Sequence, residues 1–257
     1  MKSHKCYGPM RAVSLTAAMC LTLILGTGAL RAAVPTGTPT FSNPLNFTNR
    51  YQPFQPGGVK IFQGLTGRAK SVVVNQYLIE TRSFAWNGAN VQCHILREID
   101  FEGGQLVEIS DNHFAQADDG TVYYFGELVD NYEDGVLTNH DGSWLVGGPG
   151  PADPPGVLTD TDPTVFMPAI PGVGDRFKPE DLLPQLDETD NVKQLGITVK
   201  VTAGRFKGAI KIEETSSLEP GTTTKWYAPG VGVVKEKARG ESLQLIASTL
   251  VSPEEPE

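Results

Sequence analysis

The sequence holds few of the residues that usually carry chemistry. It has four histidines and three cysteines in 257 residues. No Gly-x-Ser-x-Gly elbow, phosphate-cradling glycine loop, His-Glu-x-x-His helix or paired-cysteine motif occurs. That removes the local signatures of serine hydrolases, nucleotide-dependent enzymes, zinc proteases and dithiol redox proteins. A Ser-His-Asp triad gathered from distant strands stays open, because such triads are set by geometry rather than by local sequence. Positive charge is also scarce: 21 Lys and Arg stand against 30 Asp and Glu, a formal charge of −9. A chain this acidic repels nucleic acid and anionic lipid surfaces. Its acids then serve solubility, with weak divalent-cation binding at clustered carboxylates as the alternative.

Long hydrophobic runs are missing except at the start. Lys2, Lys5 and Arg11 precede an apolar run from Ala12 to Leu30 that holds no acid, and Ala32 and Ala33 are small. This pattern predicts a secretory signal over residues 1–33, removed on export to the periplasm or the extracellular space. An uncleaved membrane anchor is the competing reading. Cleavage leaves no transmembrane segment. Lys2, Lys5, Arg11 and Arg31 leave with the signal and no acid does, so the net charge falls by a further four. Cys6 and Cys20 leave as well, so Cys93 stands alone and no intramolecular disulfide can form.

What the rest contains is strand chemistry. Val91, Cys93, Ile95, Ile99 and Phe101 fall on one side of a period-two pattern, with Gln92, His94, Glu98 and Asp100 on the other. Residues 72–79 are β-branched and aromatic, as in a well-buried strand. Leu195, Ile197, Val199 and Val201 alternate, and so do Leu243, Leu245 and Ala247. Gly103-Gly104, Asp119-Gly120, Asp134-Gly135, Asp141-Gly142 and Pro220-Gly221 sit between apolar segments as hairpin turns. Their spacing predicts an all-β antiparallel meander of about ten strands. Only 179–186 hints at a helical turn, and Pro184 interrupts it. The expected organisation is an extended lead-in over 34–57 and one β domain over 58–250. A Pro/Gly-rich loop occupies 147–163, and a disordered tail follows at 251–257.

Candidate site residues are few. Glu127 follows Tyr123-Tyr124-Phe125-Gly126 and, by strict alternation, shares a face with Tyr123 and Phe125; a carboxylate among aromatics suits a ligand anchor or a shifted acid. His113, next to Phe114, joins them as a ligand-binding candidate. Pairing of Glu127 with a cation, or exposure to solvent, is the plainer reading. Asp130, Asp134 and Asp141 occupy positions one, five and twelve of a loop with Gly135 at six, the outline of a calcium loop. Tyr132 stands where a ligand belongs and the flanks read as strands, so a hairpin turn with exposed acids is the default. Asp160 and Asp162 in the Pro/Gly loop are similarly ambiguous. His94 and His140 read as hydrogen-bonded or turn residues, and Trp144 and Trp226 as core.

An ordered string of motifs runs through residues 46–236: Tyr123-Tyr124-Phe125-Gly126-Glu127, Gly142-Ser143-Trp144, Met167-Pro168-Ala169, and Trp226-Tyr227-Ala228-Pro229-Gly230-Val231-Gly232. In these the chain resembles a family of uncharacterised bacterial exported proteins. The resemblance implies a strongly curved sheet or half-barrel, and it carries no activity and no catalytic residue. The family usually shows Trp at His113, Asp at Ala117, and a Cys at Ala209 that would be a partner for Cys93. Its members also pass more directly from Gly-Ser-Trp to Met-Pro, so the Pro/Gly loop is an insertion.

Three functions follow as expectations. The first is a non-catalytic exported protein that binds an apolar or amphipathic small molecule on an open concave face. The second is a structural module or a partner of an envelope protein, its concave face filled by its own side chains. The third is a hydrolase in which His113 or His140 meets a serine and an acid. No cofactor is expected.

Overall fold

The computed structural model describes residues 34–218 and 220–250; the signal expected over 1–33 and the tail over 251–257 lie outside the described residues. The described part holds fifteen strands and no helix. Five long strands open the chain: β1 (Val59–Thr66), β2 (Ala69–Trp86), β3 (Ala89–Glu102), β4 (Gln105–Gln116) and β5 (Val122–Glu133). Four short ones follow: β6 (Val136–Asn139), β7 (Trp144–Val146), β8 (Leu158–Asp160) and β9 (Thr164–Met167). Six more complete the set: β10 (Arg176–Leu182), β11 (Leu186–Val201), β12 (Gly204–Thr215), β13 (Thr223–Ala228), β14 (Gly232–Ala238) and β15 (Glu241–Ser248). All five expected turn pairs fall in connections between strands.

The strands form one sheet in the order β10-β11-β12-β13-β14-β15-β1-β2-β3-β4-β5-β7-β8, with β6 and β9 also paired to β5. Every pairing is antiparallel except β7 with β8. The first and last strands, β1 and β15, pair in the middle of the sheet. Right-handed twist and repeated bulges roll it up. Register shifts occur at Tyr77/Thr81, Asn112/Phe114, Trp226/Tyr227 and three times between Val192 and Val199. The two edges approach each other: the Thr164 hydroxyl on β9 donates to Pro179 O on β10, and the Trp144 indole N–H on β7 donates to Glu180 Oε1 at 3.1 Å. The result is a nearly closed barrel. Gly64 permits the closest approach of β1 to β15, where any Cβ would run into the Ser242 carbonyl.

One end of the barrel is the mouth, ringed by the turns at 67–68, 103–104, 183–185 and 239–240. The other end is a floor. The lead-in, expected as a simple extended segment, clamps it. Asn49 is the pin: its side-chain N–H groups donate to Gly120 O and Pro168 O, and its Oδ1 accepts from the N–H groups of Tyr51 and Gln52. Gln116 Oε1 accepts from Thr48 N and Asn49 N at 2.8 Å each. On the far wall the Tyr51 hydroxyl donates to Gly208 O, and Gly230 N donates to Arg50 O. The β11–β12 hairpin reaches across to β15, its Ala203 N–H donating to Leu245 O at 3.0 Å.

Several local expectations change. Residues 179–186 form the end of β10 and a turn, because the hydrogen-bonded partners Glu180↔Glu188 and Leu182↔Leu186 outweigh a weak helical signal. The 147–163 loop contains β8, which three residues of parallel pairing with β7 suffice to define. Residues 72–79 bury only one face: Val73, Asn75 and Tyr77 turn in, while Ile79 is 75% exposed. Trp144 is fully buried, but Trp226 is half-buried on the face opposite Tyr227, with Lys235 Nζ 5.1 Å above its ring. The extra strands beyond about ten are the short β6–β9, too brief to show a period.

Candidate functional site

Inside the barrel lies a cavity of about 260 Å³. Its lining follows from cross-strand rows. Nearest the floor, Phe114 pairs with Tyr124, and the next row runs Tyr77–Leu96–Asn112–Glu127. Above it comes Lys60–Asn75–Glu98–Ser110, and toward the mouth come Phe62, Val73 and Glu108, in the row that also holds Asp100. The opposite wall supplies Glu180, Glu188, Lys225, Tyr227 and Glu236. Chemistry therefore changes along the axis. Phe114 stacks on Tyr124 at 4.8 Å and meets Phe166 at 4.6 Å near the floor, while carboxylates crowd the upper half. Six glutamates and two lysines line the cavity, so its titratable groups are mainly acids.

Burial and mutual repulsion raise the proton affinity of these acids. Burial, then Glu98 and Glu108, push Asp100 up to about 9. Burial lifts Glu188 to about 8 against the pull of Lys225, and Asp190 and Glu236 to about 7. Glu98 and Glu108 rise for the same first reason. The two lysines answer differently. Lys60 Nζ donates to the Val231 and Val233 carbonyls at 3.3 and 3.2 Å, and burial lowers it to about 8. Lys225 pays the same desolvation but pairs with Glu214 at 2.5 Å, and with Glu236 and Glu188 near it the net shift is upward.

Glu127 lies in this cavity, but not with the partners expected for it. Between Asn112 and Phe114 on β4 the chain advances two residues while β5 advances three, from Tyr124 to Glu127. The extra residue is a bulge at Gly126, whose φ of 110° and contact with the Trp144 carbonyl exclude any Cβ. Parity therefore flips, and Glu127 shares the inner face with Tyr124. Burial first, then the neighbouring Glu180 carboxyl, holds Glu127 well above the usual carboxylate range. The two carboxyls are hydrogen-bonded to each other, and burial raises Glu180 as well. Beside them the Tyr124 hydroxyl donates to Asn112 Oδ1 at 2.5 Å.

Tyr123, Phe125 and His113 sit on the other face. Phe41 from the lead-in packs edge-on against Tyr123 and Phe125 at 5.7 and 5.5 Å, and His113 meets Phe84 at 5.3 Å. His113 Nδ1 is 2.9 Å from Gly126 O, and burial lowers its pKa to about 4. It is a neutral donor that braces the bulge. The Pro/Gly loop covers part of this outer face, with Asp153 paired to Arg82 at 2.6 Å and Asp162 Oδ1 accepting from the Trp86 indole.

The other candidates do not assemble. Asp130 pairs with His140 at 2.8 Å, Asp134 holds a hairpin turn at φ 50°, and the Asp141 carbonyl accepts from Asn131. Among the described residues no group of three or more His, Cys, Asp or Glu side chains is placed to hold a metal ion. His94 stacks on Phe54 at 4.1 Å, its Nε2 3.0 Å from Leu45 O. None of these three histidines lines the cavity. Sequence reasoning missed Lys60, Asn75, Glu108, Glu180, Glu188, Lys225 and Glu236. The one available signal was the acidic face of β3, Glu98 and Asp100, which reads as solvent-facing but points inward.

Comparison of the chain with protein-family models, with curated proteins and with solved structures finds no match.

Proposed function

We propose that this is an exported, non-catalytic binding protein whose barrel holds a small amphipathic molecule, apolar end toward the floor and polar end among the carboxylates. One observation carries the reading: the cavity changes from aromatic to acidic along a single axis. Concave sites with an apolar body and a few convergent polar groups are the usual form of small-molecule pockets. A structural module with a filled interior would not keep about 260 Å³ open at this point. The signal-like N-terminus supports an address in the periplasm or outside the cell. The ordered motifs support grouping the chain with the exported family it resembles, and three motif residues, Tyr124, Glu127 and Tyr227, line the cavity.

Native mass spectrometry of the protein purified gently from its own host tests this. A small molecule retained at fixed stoichiometry is expected, and a bare mass at every desolvation energy would count against tight binding.

A further inference from the structure

We propose that the polar end of the bound molecule is a protonated primary or secondary amine, seated between Asn75, Glu98 and Glu108. This rests on the binding reading above and names the ligand class for the same cavity.

Asn75 is the residue that points to it. It is 6% exposed and lines the cavity, and its Oδ1 has no hydrogen-bond donor. Its amide N–H bonds to Glu98, which fixes the orientation of the amide and leaves Oδ1 as a bare acceptor. Leaving a buried acceptor unpaired is costly unless something supplies a donor. Glu98 stands directly across from Asn75, and Glu108 lies one row toward the mouth. With Glu98 and Glu108 ionised, every free position in this set is an acceptor.

The protein's own cations do not supply the donor. Lys60 occupies the same row, yet its Nζ is committed to two backbone carbonyls near the floor. Lys225 is paired to Glu214 on the far wall. Among the described residues no Lys or Arg forms an ion pair with Glu98, Asp100 or Glu108. An ammonium with N–H groups satisfies both the carboxylates and the Asn75 acceptor. A quaternary ammonium carries the charge but has no N–H to give the Asn75 acceptor. A carboxylate has no donor for the Asn75 acceptor.

Seating a cation there favours the ionised carboxylates, so binding releases protons. The charged and titratable groups facing this point are Lys60 on β1, Tyr77 on β2, Asp100 on β3, Glu108 on β4, Lys225 on β13, Glu236 on β14 and Glu241 on β15. The acids outnumber the lysines, which sets the sign.

The test is titration calorimetry at neutral pH with hexylamine, hexanol, hexanoate and hexyltrimethylammonium. Hexylamine should bind roughly tenfold tighter than hexanol or the trimethyl compound, as one charge-assisted hydrogen bond implies. Its heats in buffers of different ionisation enthalpy should report proton release. Asn75→Leu and Glu98→Gln should each cut hexylamine affinity by about tenfold, and Glu98→Gln should cut hexylamine more than hexanol. Equal binding of hexanol or hexanoate by the native protein would overturn the amine assignment while leaving the binding reading intact. No heat with any of the four would overturn both. The ranking on the native protein decides the matter even if a variant fails to fold.

Discussion

The floor and the mouth of this barrel are built from the same strands by opposite means. At the floor, polar side chains tie segments together: Asn49 makes hydrogen bonds to the β4–β5 and β9–β10 connections and to its own segment, and Gln116 holds the lead-in by three. Aromatic rings fill the rest. In the upper half, acids face one another with two lysines between them, and several buried oxygens, on Asn75, Asp100 and Asp190, have no donor. Buried acceptors without donors are costly in a fold. The floor is tied by hydrogen bonds and rings, and the belt above it carries acceptors without donors.

The largest expected blow to that contrast is Phe114→Ala. It removes a fully buried ring from the stack with Tyr124 and Phe166, and should cost about 4 kcal/mol in chemical denaturation. Asn49→Ala comes next. It strands the Gly120 and Pro168 carbonyls and the Tyr51 and Gln52 amides, and a loss of roughly 2–3 kcal/mol is expected from the same measurement.

The smallest effect concerns the acid belt and has an unusual sign. A carboxyl whose folded pKa is raised contributes stability below its unfolded pKa and loses it as pH climbs through the folded one. Asp100 at about 9, Glu188 at about 8, and Asp190 and Glu236 at about 7 all shift that way. Lys60, lowered to about 8, works in the opposite sense only above that pH. The melting temperature should therefore fall from pH 5 to pH 8, against the habit of most proteins. Asp100→Asn should flatten that slope by on the order of 1 kcal/mol, read from melts across the range. A melting temperature that rises with pH would mean the belt is solvated and the contrast between the two ends is unreal.

Much of the fold was legible in the residues. Period two, the Asp-Gly and Gly-Gly turns and the absence of helical spacing carried the all-β class and the turn positions. Inside and outside were not legible. On β3 the aliphatic set Ile95, Ile99 and Phe101 is half-exposed, while Glu98 lines the cavity and Asp100 alternates onto the same face. Alternation gives two faces but does not label them. Glu127 shows a second blind spot. It was found by its aromatic neighbours, yet its true partners, Tyr124, Asn112 and Glu180, required the bulge at Gly126 and a strand 53 residues away to come into place. Tyr123, Phe125 and His113 fell on the wrong face for the same reason. Asn75 carried no local signal, since its role depends on an atom left without a donor.

The pairing of β1 with β15 sets the order in which this protein can assemble. Val59 N donates to Thr249 Oγ1 across 190 residues, and Lys60 pairs with Ser248. Half of the molecule thus cannot roll up without the other half, because the join lies in the middle of the sheet and not at its rim. Long-range pairing of this kind makes for slow folding. A partly synthesised chain has exposed strand edges on both sides of the missing join, and it has no finished floor on which the lead-in can settle. The barrel should form late and all together, after the last strand is available, with few stable stages before it.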